Sequence, residues 1–387
     1  MPLDLNGDGF GDLVWAEGGT WRFRLGSAAG LGSVQNSGIA ATNPAKALPL
    51  DWNGDGRMDL LVHWSDGFFR VLAGTATGLA SPVPAGPLGV PNNTAYSDWT
   101  TVDVNGDGRD DLVRVSWQQV FVRLNGSTGF GAEVVGYYDE IFHNMGLGFQ
   151  TVHGSSKLRT LDYDGDGADE VVVYGCLYVQ IEYASCWGDY WWVLRWNGTG
   201  LQVVTMLGSP ARYGDFNGDG QTDLAVRGGS NQWCLVMGSG AASYCGPSAS
   251  TYNSRLVLVS DYDGDGYDDL FLSHTSSATW HVFRSTGTGL AATPIQTGIS
   301  TASAAWLVTD FNGDGLFDHV RRTGAGAVAT LTRLGLPGET LLNVGDGFGN
   351  QVSFAYLPMS NATVYTKGSG ATYPAQDVQS SWPLVRT

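Results

Sequence analysis

The sequence predicts an all-β fold, a seven-bladed β-propeller, and three observations carry that expectation. An acidic nine-residue motif, D-x-[ND]-G-D-G-x-x-[DE], is written seven times, beginning at Asp4, Asp51, Asp103, Asp162, Asp215, Asp261 and Asp310. Neighbouring copies start 46 to 59 residues apart, the spacing of a repeat architecture rather than of scattered loops. Between copies lie short apolar runs cut by glycine turns, with 56 glycines in 387 residues and no sustained helical period.

Each element of the repeat has its own signal. An apolar run precedes the motif, as at residues 255–260 before the sixth copy. The ninth residue of the motif then leads straight into a second run: Asp12-Leu13-Val14-Trp15, Asp59-Leu60-Leu61-Val62 and Asp269-Leu270-Phe271-Leu272. A third run ends at a glycine turn, as in Trp21-Arg22-Phe23-Arg24-Leu25-Gly26, and a fourth completes the unit. Four short strands per repeat, arranged radially, make a propeller blade. A hydrophobic content of 43 % supplies a core, so the glycines are punctuation and not the mark of a disordered chain.

The motif has the chemistry of a calcium loop. Oxygen side chains fall at positions 1, 3, 5 and 9, and the position-7 carbonyl can add another donor. Ca²⁺ is a hard cation that takes about six to eight oxygens at roughly 2.3–2.6 Å. The expected ligands are Asp4, Asn6, Asp8 and Asp12 in loop 1, Asp51, Asn53, Asp55 and Asp59 in loop 2, and Asp103, Asn105, Asp107 and Asp111 in loop 3. Loop 4 offers Asp162, Asp164, Asp166 and Glu170, and loop 5 offers Asp215, Asn217, Asp219 and Asp223. Loops 6 and 7 offer Asp261, Asp263, Asp265, Asp269 and Asp310, Asn312, Asp314, Asp318. A single D-x-N-G-D-G could be a polar turn, because Asn-Gly and Asp-Gly favour turns by themselves. Seven copies with an acid always at position 9 favour up to seven structural Ca²⁺ ions. An EF-hand would place its bidentate Glu at position 12 between helices, and here the motif joins strands.

Charge agrees. Of 37 acidic residues, 23 occupy ligand positions, and the formal charge of −17 would fall to −3 with seven calcium ions bound. The acidity is therefore mostly metal-site chemistry. The 20 basic residues do not cluster, which argues against nucleic acid as a partner.

On these motifs the chain resembles the FG-GAP/VCBS class of propeller repeats, from Asp4 to about Leu334. The resemblance implies an integrin-α-like propeller with one Ca²⁺ between the first two strands of each blade. Integrin relatives carry such loops in only some blades; here all seven have one. Residues 1–342 are assigned to the propeller and 343–387 to a C-terminal segment. That segment contains Gly345-Asp346-Gly347-Phe348-Gly349-Asn350, Tyr356-Leu357-Pro358, Val364-Tyr365-Thr366-Lys367 and Tyr373-Pro374. It resembles the junction following the propeller in RHS/YD-repeat proteins of the SpvB and Tc-toxin B-component type, where another β-rich section begins. A closing strand plus tail is the alternative. Only Pro2-Leu3 precede loop 1, without a leader, so the sequence is expected to be a portion of a longer secreted or surface protein, of bacterial type.

Four cysteines form two local pairs, Cys176 with Cys186 and Cys234 with Cys245, each at hairpin distance on adjacent strand segments. Both pairs are read as disulfides, with buried thiols as the alternative. Repeat 4 carries an enlarged aromatic segment in which Trp187, Tyr190, Trp191 and Trp192 are a candidate ligand platform, with sheet packing as the plainer reading. No G-x-S-x-G, H-E-x-x-H or Walker motif occurs, and the acids are already assigned to metal loops. The expected function is non-catalytic: a calcium-stabilised structural or interaction module whose partners are other domains of a larger toxin or surface protein. A stand-alone carbohydrate-binding or adhesin propeller is the alternative, and a polysaccharide-active enzyme comes third. No membrane insertion by this segment is expected.

Overall fold

The computed structural model describes the chain apart from residues 1, 88, 92–96, 117–118, 139–146, 151–157, 167, 182, 209–210, 228–231, 239–243, 249, 302–305, 315, 317, 324–326, 332–340, 347, 369–377, 380–381 and 387. Side chains at 2, 97, 116, 137–138, 147–150, 174–191, 206–208, 211, 247–248, 254–256, 307, 319–323 and 327–331 are likewise not described. The fold is all-β: a single 3₁₀ turn at Pro44–Lys46 is the only helical element among the described residues.

Each of the seven repeats builds its own antiparallel sheet. Repeat 1 uses Pro2–Leu3, Asp12–Glu17, Thr20–Arg24 and Gln35–Ala40 in sequence order. Repeats 2, 3, 5 and 6 repeat the four-strand meander. Repeat 7 shows three strands among the described residues. Repeat 4 differs: Glu170–Ile181 and Tyr183–Trp196 are far longer, and Leu147–Gln150 adds a fifth strand along the extension. The motif sits at one fixed point of this pattern. The residue before position 1 always pairs with position 9, as Leu3 with Asp12, Leu50 with Asp59, Val102 with Asp111 and Ser260 with Asp269. Leu161–Glu170, Gly214–Asp223 and Thr309–Asp318 complete the series. Every motif is thus the connection of a hairpin between the first two strands.

Burial explains the strand sequences. The second strand is covered on both faces, so Asp59–His63 is buried throughout and reads as an unbroken apolar run after its acid. The third strand alternates, with Trp21 and Phe23 inward and their neighbours half-buried. The fourth is largely exposed, as at Gln35–Ala40 and Ile295–Ser300.

The contacts divide the chain into two compact units. Unit 1 comprises Met1–Gly38, Ala76–Gly78 and Ala211–Thr387; unit 2 comprises Ile39–Thr75 and Leu79–Pro210. Within unit 2, Leu61, Phe69 and Val71 of repeat 2 pack on Leu112 and Phe130 of repeat 3. Val113 and Val122 of repeat 3 pack in turn with Val171 and Leu194 of repeat 4. Close approach requires glycine here: a Cβ on Gly129, at φ +96°, would lie 2.5 Å from the Ala85 carbonyl oxygen. Within unit 1, Phe216, Leu235, Leu270 and Phe283 join repeats 5 and 6. Leu13 of repeat 1 packs on Phe311 of repeat 7. The first and last repeats therefore touch.

The C-terminal segment is unlike the repeats. It forms two isolated hairpins, Asn343–Gly345 with Gln351–Ser353 and Ala355–Pro358 with Pro383–Arg386. Within unit 1 it makes polar contacts with two motif loops. Lys367 Nζ donates to the Gly7 carbonyl (2.8 Å) and Ser360 Oγ to the Gly313 carbonyl (2.9 Å).

Candidate metal-binding loops

The first strand delivers the position-1 carboxylate into a turn whose glycines adopt left-handed backbone, φ 67° at Gly7 and 83° at Gly9 in loop 1. That turn aims successive N–H groups at the carboxylate. Asp4 Oδ1 accepts from Gly7 (2.7 Å) and Asp8 (3.2 Å), and Oδ2 accepts from Gly9 (2.9 Å). Loop 5 gives the same three distances to Asp215. The position-5 carboxylate in turn accepts the position-7 N–H, as Asp8 does from Phe10 (3.0 Å).

Position 3 separates the loops into two kinds. In loops 1, 2, 3, 5 and 7 the asparagine accepts the position-5 N–H. It also donates Nδ2 to the position-5 carboxylate, at 2.8 to 3.1 Å. Loops 4 and 6 have aspartate there and lack that donor. Their first three acids converge: Asp162, Asp164 and Asp166 in one, Asp261, Asp263 and Asp265 in the other, each offering an oxygen within 4.8 Å of the others. Two oxygens bound to one calcium stand at most about 5 Å apart, twice the usual bond length. This all-oxygen donor set fits a hard cation. Asp263 Oδ1 is buried and accepts no hydrogen bond among the described residues.

Position 9 makes a further set of contacts. Its carboxylate is buried and ties two backbone N–H donors from different segments. Asp59 accepts from Trp52 (3.1 Å) and Gly74 (2.7 Å), and Asp12 from Leu5 (2.8 Å) and Gly26 (2.7 Å). Asp269 does the same with Tyr262 and Ser285, and Asp223 with Phe216 and Gly238. Asp318 accepts from Phe311. Asp111 accepts from Val104 and Asn125. Glu170 accepts from Tyr163 and takes its other bond from Arg195 instead of the backbone. Burial drives these acids up, with the N–H bonds offsetting only part of it: Asp12 and Asp59 to about 7, Asp111 and Asp269 to about 8, Asp318 to about 7. Burial also raises Asp223 and Glu170.

A second set of acids was not distinguished in the sequence. Position 8 is Asp110, Asp169 and Asp268 in loops 3, 4 and 6. Asp110 accepts the N–H of Asp51 in the preceding loop (2.7 Å) and donates its own N–H to the Asp51 carbonyl (3.3 Å). Asp268 makes the same two bonds with Asp215 (2.9 and 2.7 Å), and the Asp169 N–H reaches the Asp103 carbonyl. At position 8 of loop 1, the Gly11 N–H donates to the Asp310 carbonyl of loop 7 (2.7 Å). Position 8 therefore stitches each of these loops to its neighbour. Its signal was the doubled acid Asp-Asp or Asp-Glu that closes three of the motifs.

The two cysteine pairs come out differently. Cys234 and Cys245 face each other on paired strands of repeat 5 and form a disulfide, the only one among the described residues. The disulfide expected between Cys176 and Cys186 is not among the described bonds, because both side chains lie outside the described residues. Cys186 stands opposite Tyr178, and Cys176 stands opposite Asp189. An irregularity between Cys176 and Tyr178 shifts the pairing, so Cys186 is displaced along the ladder from Cys176.

The aromatic platform is likewise divided. The Trp187, Tyr190 and Trp191 side chains lie outside the described residues. Trp192 is 2 % exposed and packs with Val173 and Leu194, so it is a core residue and not a ligand platform.

A family profile described as FG-GAP-like repeat matches residues 4–62, 51–114 and 261–320, and each window opens on a position-1 aspartate. A search among curated proteins found no significant match. Among solved structures, the chain is similar to part of a Photorhabdus luminescens Tc holotoxin pore, with a TM-score of 0.53 and 18 % identity over 93 % of this chain. It spans 15 % of that toxin chain. It is also similar to an Agrocybe aegerita lectin that recognises non-reducing terminal N-acetylglucosamine, with a TM-score of 0.58 and 16 % identity. That match covers 86 % of this chain and 92 % of the lectin. At such identities the likeness concerns the fold. Residues 4–114 and 261–320 thus carry FG-GAP-like repeats, and the all-β fold has propeller-like structural neighbours.

Proposed function

We propose that this chain is a calcium-stabilised, seven-bladed propeller that works as a non-catalytic structural and binding module, with up to seven Ca²⁺ ions in its motif loops. The observation that carries the proposal is the loop geometry: position-1 carboxylates held by backbone N–H groups, and three acids converging within 4.8 Å in loops 4 and 6. Calcium would be held by positions 1, 3, 5 and 9 and the position-7 carbonyl, the position-9 acid also fixing the hairpin that presents them. The ion supplies charge neutralisation and nothing chemically reactive. The acids serve the loops, and His281 bonds Tyr252 through Nδ1, so neither set suggests an acid–base pair.

The likeness to a Tc toxin supports a place within a larger secreted or surface protein, with the hairpins of residues 343–386 leading toward its next section. The lectin likeness supports glycan binding as a second reading.

Calcium that binds the folded chain alone must raise its stability by mass action. Thermal melting after exhaustive chelation should show a fall of at least about 10 °C, recovered on adding Ca²⁺ but not K⁺. An unchanged melt would remove the calcium reading. A glycan array probed with the calcium-loaded chain decides between the partner classes.

A further inference from the structure

Loops 4 and 6 have an aspartate where the other five have asparagine, and both place an arginine on it. Arg284 Nη1 lies 2.8 Å from Asp263 Oδ2. Arg195 Nη2 lies 2.5 Å from Asp164 Oδ2, and its Nε lies 2.7 Å from Glu170 Oε1. Both arginines come from the third strand of their own repeat or its end. In repeats 1 and 3, whose loops carry asparagine, the third-strand arginines stand one residue earlier on the ladder, Arg24 opposite Leu13 and Arg123 opposite Leu112, and donate elsewhere. Arg24 Nε donates to the Gly32 carbonyl (2.6 Å) and Arg123 Nη1 to the Gly131 carbonyl (2.9 Å), both in the glycine turn. The arginine thus engages the metal loop where position 3 is an acid.

The charges explain the pairing. Five loops carry three carboxylates at ligand positions and two carry four. An arginine on the fourth returns the local sum to that of the asparagine loops. It also replaces the asparagine Nδ2 as the hydrogen-bond donor that relieves crowding among acids. In loop 6 it takes Asp263 Oδ2 and leaves the buried Oδ1 without a hydrogen bond, in a residue that also contributes an oxygen to the group formed with Asp261 and Asp265.

We propose that Arg284 and Arg195 are affinity-setting residues of the cation sites in loops 6 and 4: each offsets the extra carboxylate at position 3 so that these two loops load over the same Ca²⁺ range as the other five. This rests on the calcium reading above and extends it to residues outside the motif. A guanidinium about 6 Å from a divalent ion in a water-like dielectric changes its affinity by about tenfold.

Calorimetric titration of the metal-depleted full chain with Ca²⁺ tests it. The wild type should show one affinity class. Arg284→Gln should resolve one site about tenfold tighter, and Asp263→Asn alone should leave one site about tenfold weaker, because the arginine then faces a loop of ordinary charge. The Asp263→Asn/Arg284→Gln double variant should return to a single class. Arg284 is half exposed and the double variant recreates the asparagine arrangement, so folding should survive. Unchanged or weaker binding in Arg284→Gln, with the wild type still taking up Ca²⁺, would overturn the proposal and leave the calcium reading standing. A wild type that takes up no Ca²⁺ would overturn both.

Discussion

The motif-bearing repeats and the C-terminal hairpins are built from similar strands but held by opposite means. In repeat 2 the strand Asp59–His63 is buried from end to end, with its opening carboxylate tied to two backbone N–H groups. In residues 343–386 the described strands are exposed or half-buried along their length. Phe348 is 93 % exposed, Trp382 68 % and Val352 57 %. Their attachment to unit 1 includes the Lys367 and Ser360 contacts with loops 1 and 7 and a buried Met359. A β-strand gains its stability from what covers it, and the repeats pack on one another, as Leu61 does on Leu112. The same contrast predicts where substitutions matter.

The largest effect is expected at position 9. Asp59→Ala removes the acceptor of two buried N–H groups and should cost about 2–4 kcal/mol in denaturant unfolding, whereas Asp346→Ala, on an exposed hairpin turn, should stay within about 0.5 kcal/mol. Core truncation comes next. Leu61→Ala should cost about 3 kcal/mol and Val352→Ala close to none, and equal losses would erase the distinction between the regions.

A pH series sharpens the contrast from the electrostatic side. Burial raises Asp12, Asp59 and Asp318 to about 7 and Asp111 and Asp269 to about 8 in the metal-free fold, against about 4 when unfolded, so the native state binds more protons between those values. Their contribution to stability is fully present below about pH 4 and is lost as pH rises through about 7 to 8. Metal-depleted protein should therefore be more stable at about pH 5 than at about pH 8.5 in urea titrations. Calcium should reverse the trend, since its ligands must be ionised. Opposite slopes in the metal-depleted chain would refute the burial of these carboxylates. The smallest effect belongs to the tether: Lys367→Ala should lower stability by about 1 kcal/mol or less, with its loss confined to the C-terminal hairpins in limited proteolysis.

Much of this was legible from the residues. The hairpin position of every motif followed from the strand-like runs flanking it, and the register of Leu3 with Asp12 or Ser260 with Asp269 agrees. The enlarged repeat 4 was visible as aromatic length, though Trp192 proved to be core. What a linear motif could not show was partnership across space. Position 8 reads as a variable letter until a neighbouring loop is stacked on it, as Asp110 is on Asp51. Arg195 and Arg284 lie more than twenty residues beyond the acids they meet, and nothing in the chain order joins them. The N–H partners of the position-9 acids, such as Gly26 and Gly74, come from beyond the third strand and are likewise out of reach of a linear motif.

The most direct test of calcium as the organiser of the repeats is amide hydrogen exchange with and without the ion. In Ca²⁺, the amides of positions 4 and 6 (Gly54 and Gly56, Gly218 and Gly220) and those bound by position 9 (Trp52, Gly74) should slow by about a hundredfold or more, consistent with a stabilisation of about 2.7 kcal/mol at an ion concentration one hundred times its dissociation constant. The hairpin amides of residues 343–353 should exchange at the same rate in both conditions. Identical exchange in the seven loops with and without Ca²⁺ would contradict the account.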